Sequence, residues 1–299
     1  MVLIVNPTAG RRGVTAVLRD AVANLEKRDL RYEIRTTSGP GHATELARAA
    51  LESGHKLVVA VGGDGTIHEV VNGMMADDRS LVEGATLGVV PAGTSSDFIR
   101  TFGLPSTPVH AVAHLDGPGS FPIDLGKVTY RSGGEQASRY FANIAEAGLG
   151  AEVTARTRRL PSWLGPMAYL LASWSVLATG HPVRVTIDLI DRAYEGPMLN
   201  LVVANGQFYG GGMKVAPRAA PTDGVLDIQI QNVTKLEAVA LLPKIYSGGH
   251  VPHQNIKESK RVKVSITSDR PVPVEADGEL LGFTPATFEV LPNVISLKV

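Results

Sequence analysis

The chain has 299 residues, enough for two domains, and its 44% hydrophobic and 19% charged side chains are the balance of a folded protein rather than a disordered one. Its 29 basic and 29 acidic residues cancel, which argues against nucleic-acid binding through a general positive field. There is no cysteine, so disulfides, thiolate metal sites and cysteine nucleophiles are excluded. The apolar run Val2–Val5 before Asn6-Pro7 is too short for a secretion signal, and no unbroken run of about 18 apolar residues suggests a spanning helix. The expectation is a cytoplasmic protein.

In chain order, Val2–Val5 reads as a strand, and a helix follows from about Thr15 to Asp29. Between them lies the polar turn Asn6-Pro7-Thr8-Ala9-Gly10-Arg11-Arg12-Gly13. It lacks the Gly-Lys-Ser/Thr of a P-loop and the spaced glycines of a dinucleotide fingerprint. Its two guanidiniums suit phosphate oxygens, and they suit an ordinary solvated loop equally. Arg31–Thr36 is a second strand, Thr44–Ser53 a helix, and Lys56–Val61 a third strand. Ile67–Met75 is a helix, Leu87–Val90 a fourth strand, and Ser95–Phe102 a further helix. Strands alternating with helices predict a Rossmann-like α/β domain with a mainly parallel sheet, whose ligands lie beyond the carboxyl ends of the strands.

The third strand runs into Gly62-Gly63-Asp64-Gly65-Thr66. Glycines let backbone approach a ligand closely, and a helix start turns free N–H groups toward an anion. A carboxylate beside phosphate is repulsive without a cation, so Asp64 points to nucleotide phosphate handled with Mg²⁺. The bland alternative is a strand-to-helix turn with an Asp cap. Pro91-Ala92-Gly93-Thr94-Ser95-Ser96-Asp97 is a similar turn, whose hydroxyls could equally cap the next helix. Together the three turns place Asn6, Asp64, Thr66, Thr94 and Asp97 at one sheet edge, with Thr37 beside them.

After about residue 126 the apolar pattern changes to period two, in Val183–Ile190, Leu199–Ala204, Leu226–Ile230, Val262–Thr267 and Val272–Ala276. This predicts an all-β sandwich over residues 126–289, next to an α/β domain over residues 1–125. Thr287–Leu291 and Ile295–Val299 are further strands, and the segment 290–299 could return to the first domain. His250-x-x-His253 sits in a Gly- and Pro-rich stretch and reads as plain surface. Residues 156–177 carry Arg156, Arg158 and Arg159, then Trp163 and Trp174 in a helix-like stretch. Such a stretch suits a membrane interface on one reading and packing against the sandwich on the other.

Three motifs of the first half resemble the soluble bacterial diacylglycerol kinases and related lipid kinases. They are Asn6-Pro7-x-x-Gly10, Gly62-Gly63-Asp64-Gly65-Thr66 with Glu69 and Asn72, and Pro91-x-Gly93-Thr94-x-x-Asp97. The resemblance continues through Asn205-Gly206, Gly210-Gly211-Gly212, Pro217-x-Ala219, Thr222-Asp223-Gly224-Val225-Leu226-Asp227 and Asp277-Gly278-Glu279. Ser96 departs from the pattern, which usually has Asn there. The resemblance implies an ATP- and Mg²⁺-dependent lipid kinase, with ATP in the crevice between the domains. Its binding residues would be Asn6, Pro7, Thr8, Ala9, Gly10, Thr37, Gly63, Asp64, Gly65, Thr66, Ile67, His68, Glu69 and Thr94. Asp64 and Asp97 would link to catalytic Mg²⁺. Asp223, with main-chain oxygens near Ala220 and Val225, would hold a structural Mg²⁺. Glu279 would take the proton from a lipid hydroxyl, with Asp277 a less favoured candidate.

Diacylglycerol is the expected acceptor, and a sphingoid base or another lipid alcohol is the nearest alternative. An NAD kinase-like enzyme and a nucleotide- or lipid-binding regulator without turnover are the rival readings. The lipid partner would be met at the inner face of the membrane, transiently and without a spanning helix. No nucleic acid is expected, and the edge strands of the β-domain leave room for a homodimer without requiring one.

Overall fold

The structure is a computed structural model that describes residues 1–10, 13–93, 96–157, 160, 161, 164, 167, 171, 172, 175, 176 and 180–299. The chain divides into two compact units, Met1–Leu125 with Leu291–Val299, and Gly126–Val290.

The first unit contains β1 (Val2–Val5), α1 (Val14–Lys27), β2 (Glu33–Thr36), α2 (His42–Glu52), β3 (Leu57–Gly62) and α3 (Asp64–Met74). The two-residue hairpin β4 (Met75–Ala76) and β5 (Arg79–Ser80) follows, then β6 (Thr86–Pro91), α4 (Asp97–Phe102) and α5 (Pro108–Asp116). Here β1 pairs in parallel with β2 and β3, and β3 pairs in parallel with β6. The end of the last strand of the chain adds to β6, with Ser296 and Leu297 opposite Thr86 and Leu87.

Both faces of this sheet are covered, which is why β1 is apolar at every position and buried throughout. On one face Leu3, Val5, Val59, Val61 and Val90 pack with Val14, Ala21 and Leu25 of α1 and with Val112 and Leu115 of α5. At about 1.5–3 kcal/mol for each large side chain buried, this cluster contributes substantially to the stability of the unit. The helix after the glycine turn begins earlier than its sequence pattern suggests, at Asp64 rather than Ile67.

The second unit holds the rest of β7 (Ser120–Ser132), β8 (Glu135–Phe141), β9 (Ile144–Gly148), α6 (Leu149–Thr157), β10 (Val183–Asp188), β11 (Ala193–Met198), β12 (Asn200–Ala204) and β13 (Leu226–Gln231). Then come α7 (Lys235–Ile245), β14 (Ile256–Arg261), β15 (Lys263–Ser268), β16 (Pro273–Ala276) and β17 (Glu279–Lys298), the long strand whose end adds to β6. One antiparallel set runs β14-β13-β12-β9-β16-β17, and another joins β17 through β15 and β10 to β11. Their inner faces share one core, in which Leu201, Val203, Ile228 and Ile230 meet Val185, Ile187, Val264, Ile266 and Phe288.

That is a sandwich in which β12 is buried on both sides. Its other face, Val202 and Ala204, lies under Tyr209, Met213 and Val215. Helices α6 and α7 accompany the strands, and the region is β-rich. Among the described residues, no helix is long and apolar enough to cross a membrane.

Candidate active site

Register brings the loops of the first unit together. Val5 lies opposite both Thr36 and Val61, and Gly62 lies opposite Pro91, so the strands end level. β2 flanks β1 on one side and β3 on the other, which makes the β1–β3 boundary the switch point where open α/β sheets bind ligands. At that point Asn6 Nδ2 donates to Thr66 Oγ1 at 3.1 Å, and Asn6 Oδ1 accepts from the N–H and hydroxyl of Thr8 at 3.0 and 2.8 Å. The N–H of Thr37 donates to the Val5 carbonyl at 2.9 Å.

Two glycines let these loops touch. A Cβ on Gly10, which has φ of +72°, would fall 2.0 Å from the Ala92 carbonyl oxygen. A Cβ on Gly93 would fall 2.4 Å from the Cα of Gly63. Beside this contact a cleft of about 610 Å³ is lined by Asn6, Pro7, Thr8, Thr37, Thr66 and Glu69, and by Ser38, Gly39, Pro40 and Ala43. Motif reading did not single out those last four residues. The Ser-Gly-Pro-Gly run after the second strand is the turn signal that could have found them.

The acids of the motifs have defined partners. Asp64 accepts the N–H of Asp97 at 3.1 Å and that of Phe98 at 3.0 Å, so its carboxylate caps α4 from a different loop. A carboxylate at a helix N-terminus interacts favourably with the macrodipole, and these charge-assisted bonds lock the second and third glycine loops together. Asp97 is buried in the same place, directly after Ser96, whose φ of +57° is left-handed. Glu69 caps α2 likewise, accepting from Gly41 and Ala43 at 2.9 and 3.0 Å. Ile67 and His68 are buried in α3, and Asn72 Nδ2 donates to the His68 carbonyl at 2.8 Å. Gly65 lies inside the first turn of α3.

In the second unit Asp277-Gly278 forms the two-residue turn between β16 and β17, with φ of +48° and +83°. Asp277 accepts three backbone N–H groups, from Ala142 at 2.8 Å, Asn143 at 2.9 Å and Ile144 at 3.1 Å. That commitment suits an anchor. Glu279 opens β17 and meets Arg139 at 3.4 Å, with its side chain 25% exposed.

Behind the turn, Glu146 of β9 and Glu275 of β16 face each other in register, both buried, and Glu275 accepts the Gly278 N–H at 3.0 Å. Burial pushes the Glu146 carboxyl up to about 7, against the hydrogen bond from Asn200. Burial, then the charges of Glu146 and Asp277, push Glu275 well above the usual carboxylate range. Motif reading did not reach this pair, because its two members look like isolated acids in apolar strands.

Glu146 also lines a cavity of about 800 Å³ whose walls include Leu149, Val153, Met213, Leu241 and Ile245. His250 lines it too. The expectation of a plain surface histidine is overturned: His250 is 2% exposed, its Nε2 lies 3.0 Å from the Val215 carbonyl, and burial lowers its pKa.

Asp223 lies in the turn before β13. Its Oδ1 accepts the Val225 N–H at 3.2 Å, and its Oδ2 lies 2.7 Å from Lys260 Nζ. The Ala220 carbonyl accepts the N–H groups of Thr222 and Asp223 at 2.7 and 3.2 Å. Among the described residues no three His, Asp or Glu side chains gather as a metal-ligating group. Arg11, Arg12, Thr94, Ser95, Arg158, Arg159, Trp163 and Trp174 lie outside the described residues.

Comparison with known proteins gives the site its family. Residues 1–128 match the diacylglycerol kinase catalytic domain, and residues 143–299 match the YegS C-terminal NAD kinase beta sandwich-like domain. A Xanthomonas oryzae pv. oryzae protein named "Probable lipid kinase YegS-like" is 33% identical over 273 residues, covering 90% of this chain and 87% of that protein. A diacylglycerol kinase of Bacillus subtilis (strain 168) is 31% identical over 289 residues, 96% of this chain and 91% of that protein. A crystal structure of a diacylglycerol kinase from Bacillus anthracis str. Sterne has the same fold, with a TM-score of 0.73 at 23% identity over 99% of this chain and 95% of that one. A second structure from that organism reaches 0.80 at 26% identity, with the same coverage. The chain therefore belongs to the diacylglycerol kinase and YegS-like lipid kinase family and is a lipid kinase, a phosphotransferase.

Proposed function

We propose that this lipid kinase transfers the γ-phosphoryl group of ATP to the primary hydroxyl of diacylglycerol, giving phosphatidic acid and ADP. The observation that carries the reading is the locked cluster of three glycine loops, with Asp64 bonded across to the start of α4, beside the cleft of Asn6, Thr37 and Thr66. Phosphoryl transfer asks the protein for little beyond positioning and charge neutralisation, and a preset loop cluster meets that demand.

The donor chemistry there fits Mg²⁺. Asp64 and Asp97 offer carboxylate oxygens in one loop cluster, and both oxygens of Asp64 already accept N–H groups, which favours contact with the ion through water. Mg²⁺ bound there would neutralise charge on the phosphates. Asn6, the Gly63–Thr66 backbone and Thr37 would orient the nucleotide, and Glu69 would hold the α2 end of the cleft. Thr94 belongs to the same reading by its place in the motif.

Glu279 is the proposed general base. It takes the proton of the lipid hydroxyl as that oxygen bonds to the γ-phosphorus and the bond to ADP breaks. Asp277 is better suited to fixing the turn that aims Glu279, since it already accepts three N–H groups. The mainly apolar lining of the cavity in the second unit supports lipid binding there. In residues 156–177, Val176 and Ala172 pack on Val153 while Met167 and Leu171 are 55% and 47% exposed, which supports contact with a bilayer surface on one face.

The test is transfer of labelled phosphate from ATP with Mg²⁺ to a micellar panel of diacylglycerol, sphingoid base and other lipid alcohols, with NAD in parallel. Label in diacylglycerol that disappears in Glu279→Gln and Asp64→Asn supports the proposal. Label in a different lipid moves the acceptor, and label in NAD alone sinks the lipid reading. Nucleotide binding without any transfer would favour the regulator.

A further inference from the structure

The family resemblance implies a structural divalent ion at Asp223, held with main-chain oxygens near Ala220 and Val225, and the donor set of this chain does not fit one. The Asp223 carboxylate is engaged at both oxygens, one by the Val225 N–H at 3.2 Å and the other by the Lys260 ammonium at 2.7 Å. The Ala220 carbonyl already accepts two N–H groups. Mg²⁺ demands oxygens at about 2.0–2.1 Å in near-octahedral array, and an ion on the same carboxylate would sit against an ammonium of like charge.

Lys260 is placed there by the fold. It lies on β14 directly opposite Asp227 in the antiparallel register with β13. Its Nζ is 2.7 Å from Asp223, 3.2 Å from Asp227 and 3.3 Å from the Arg218 carbonyl. An ammonium donates to three acceptors, and here it has three oxygens, two of them from carboxylates. On its flank Arg218 pairs with Glu258 at 3.4 Å, so that third acid does not compete for the amine.

We infer that Lys260 is a tethered cation that takes the place of the divalent ion at the Ala220–Val225 turn, so that this turn is held without metal. The inference does not depend on which lipid is the acceptor or on the ATP site.

The experiment is thermal unfolding of the full chain, without nucleotide or lipid, in a chelator and in millimolar Mg²⁺. Mn²⁺ binding is followed by electron paramagnetic resonance in parallel. The wild type should unfold at the same temperature in both media and bind one Mn²⁺ fewer than Lys260→Met, since any ion at Asp64 and Asp97 is common to both. Lys260→Met should unfold at least about 2–4 °C lower in chelator, recover in Mg²⁺, and bind one Mn²⁺ more than the wild type. Lys260→Arg should behave as the wild type, since a guanidinium can also bridge carboxylates.

A wild type that loses stability on chelation and regains it with Mg²⁺ would overturn the inference. So would a Lys260→Met protein that binds no more Mn²⁺ than the wild type, or one whose unfolding is indistinguishable from wild type. If Lys260→Met does not fold, the wild-type arms still decide.

Discussion

The buried pair Glu146 and Glu275 makes a prediction about stability that can be worked from the structure. Glu146 titrates at about 7 in the folded protein against 4.5 in the unfolded chain, because burial penalises its charged form. A carboxyl with a raised folded pKa contributes stability fully below the unfolded value and loses it as pH rises through the folded one. Between pH 4.5 and about 7 the folded state holds a proton that the unfolded state has released. The contribution of Glu146 to stability should therefore fall by about 1.4 kcal/mol per pH unit across that window, a total of about 3 kcal/mol, and level off above it.

The perturbation is Glu146→Gln, which cannot ionise and keeps an oxygen to accept from Asn200, bonded to Glu146 at 3.0 Å in the wild type. Any cost of the buried amide is a constant offset. The pH-dependent part of the difference is what reports the carboxyl. Other titrating groups nearby are Glu275, Asp277 and His250. The first loses a repulsive neighbour in the variant, which widens the gap in the same direction. His250, kept neutral by burial, weakens the fold only below its unfolded value of 6.5 and does so in both proteins.

Urea unfolding at each pH is followed by circular dichroism. From pH 4.5 to 8 the variant should gain about 3 kcal/mol on the wild type. Parallel stability curves over that range would refute a neutral Glu146.

Four other outcomes follow from named contacts. Asp64→Asn leaves one acceptor oxygen for the two N–H groups of Asp97 and Phe98, so thermal unfolding should show a loss of about 1–3 kcal/mol alongside lost turnover. Glu279→Gln should lower kcat about 10²–10⁴-fold in a phosphate-transfer assay, with KM for ATP unchanged. Gly10→Ala meets the Ala92 carbonyl and a φ of +72°, so it should cost about 2 kcal/mol or more in urea unfolding and weaken nucleotide binding. Ser96→Asn puts a residue tolerant of left-handed backbone at φ +57°, and its unfolding midpoint should rise by the equivalent of about 0.5–1 kcal/mol.

What the sequence made legible was decided by local rules. The parallel strands were readable because sheets covered on both faces demand unbroken apolar runs, as in Val2–Val5 and Val58–Val61. The loop cluster was readable because Gly10 and Gly93 sit where nothing else fits. Features with equally local signals went unread. Thr234 and Glu237 form a capping box that announces α7, and Gly133-Gly134 announces the turn between β7 and β8. The sequence pattern splits the last strand into Thr287–Leu291 and Ile295–Val299 around Pro292-Asn293, yet the Asn293 N–H is satisfied by Asp124 at 2.9 Å and the strand continues.

The functional acids were harder for a physical reason. Residue type says that a carboxylate is present, but its task is set by a partner far along the chain. Glu69 serves N–H groups 26 and 28 residues away, and Asp64 serves one 33 residues away. Asp277 reaches back 135 residues, and the amine at Asp223 arrives from 37 residues downstream through the β13–β14 ladder. Period-two reading even misdirects at Glu146. It expects one polar face on each strand, whereas the segment around Tyr209 and Met213 covers the outer face and turns an apparent surface acid into a buried one. Motifs thus locate charge, and tertiary register decides whether that charge holds a helix, a turn or a phosphate.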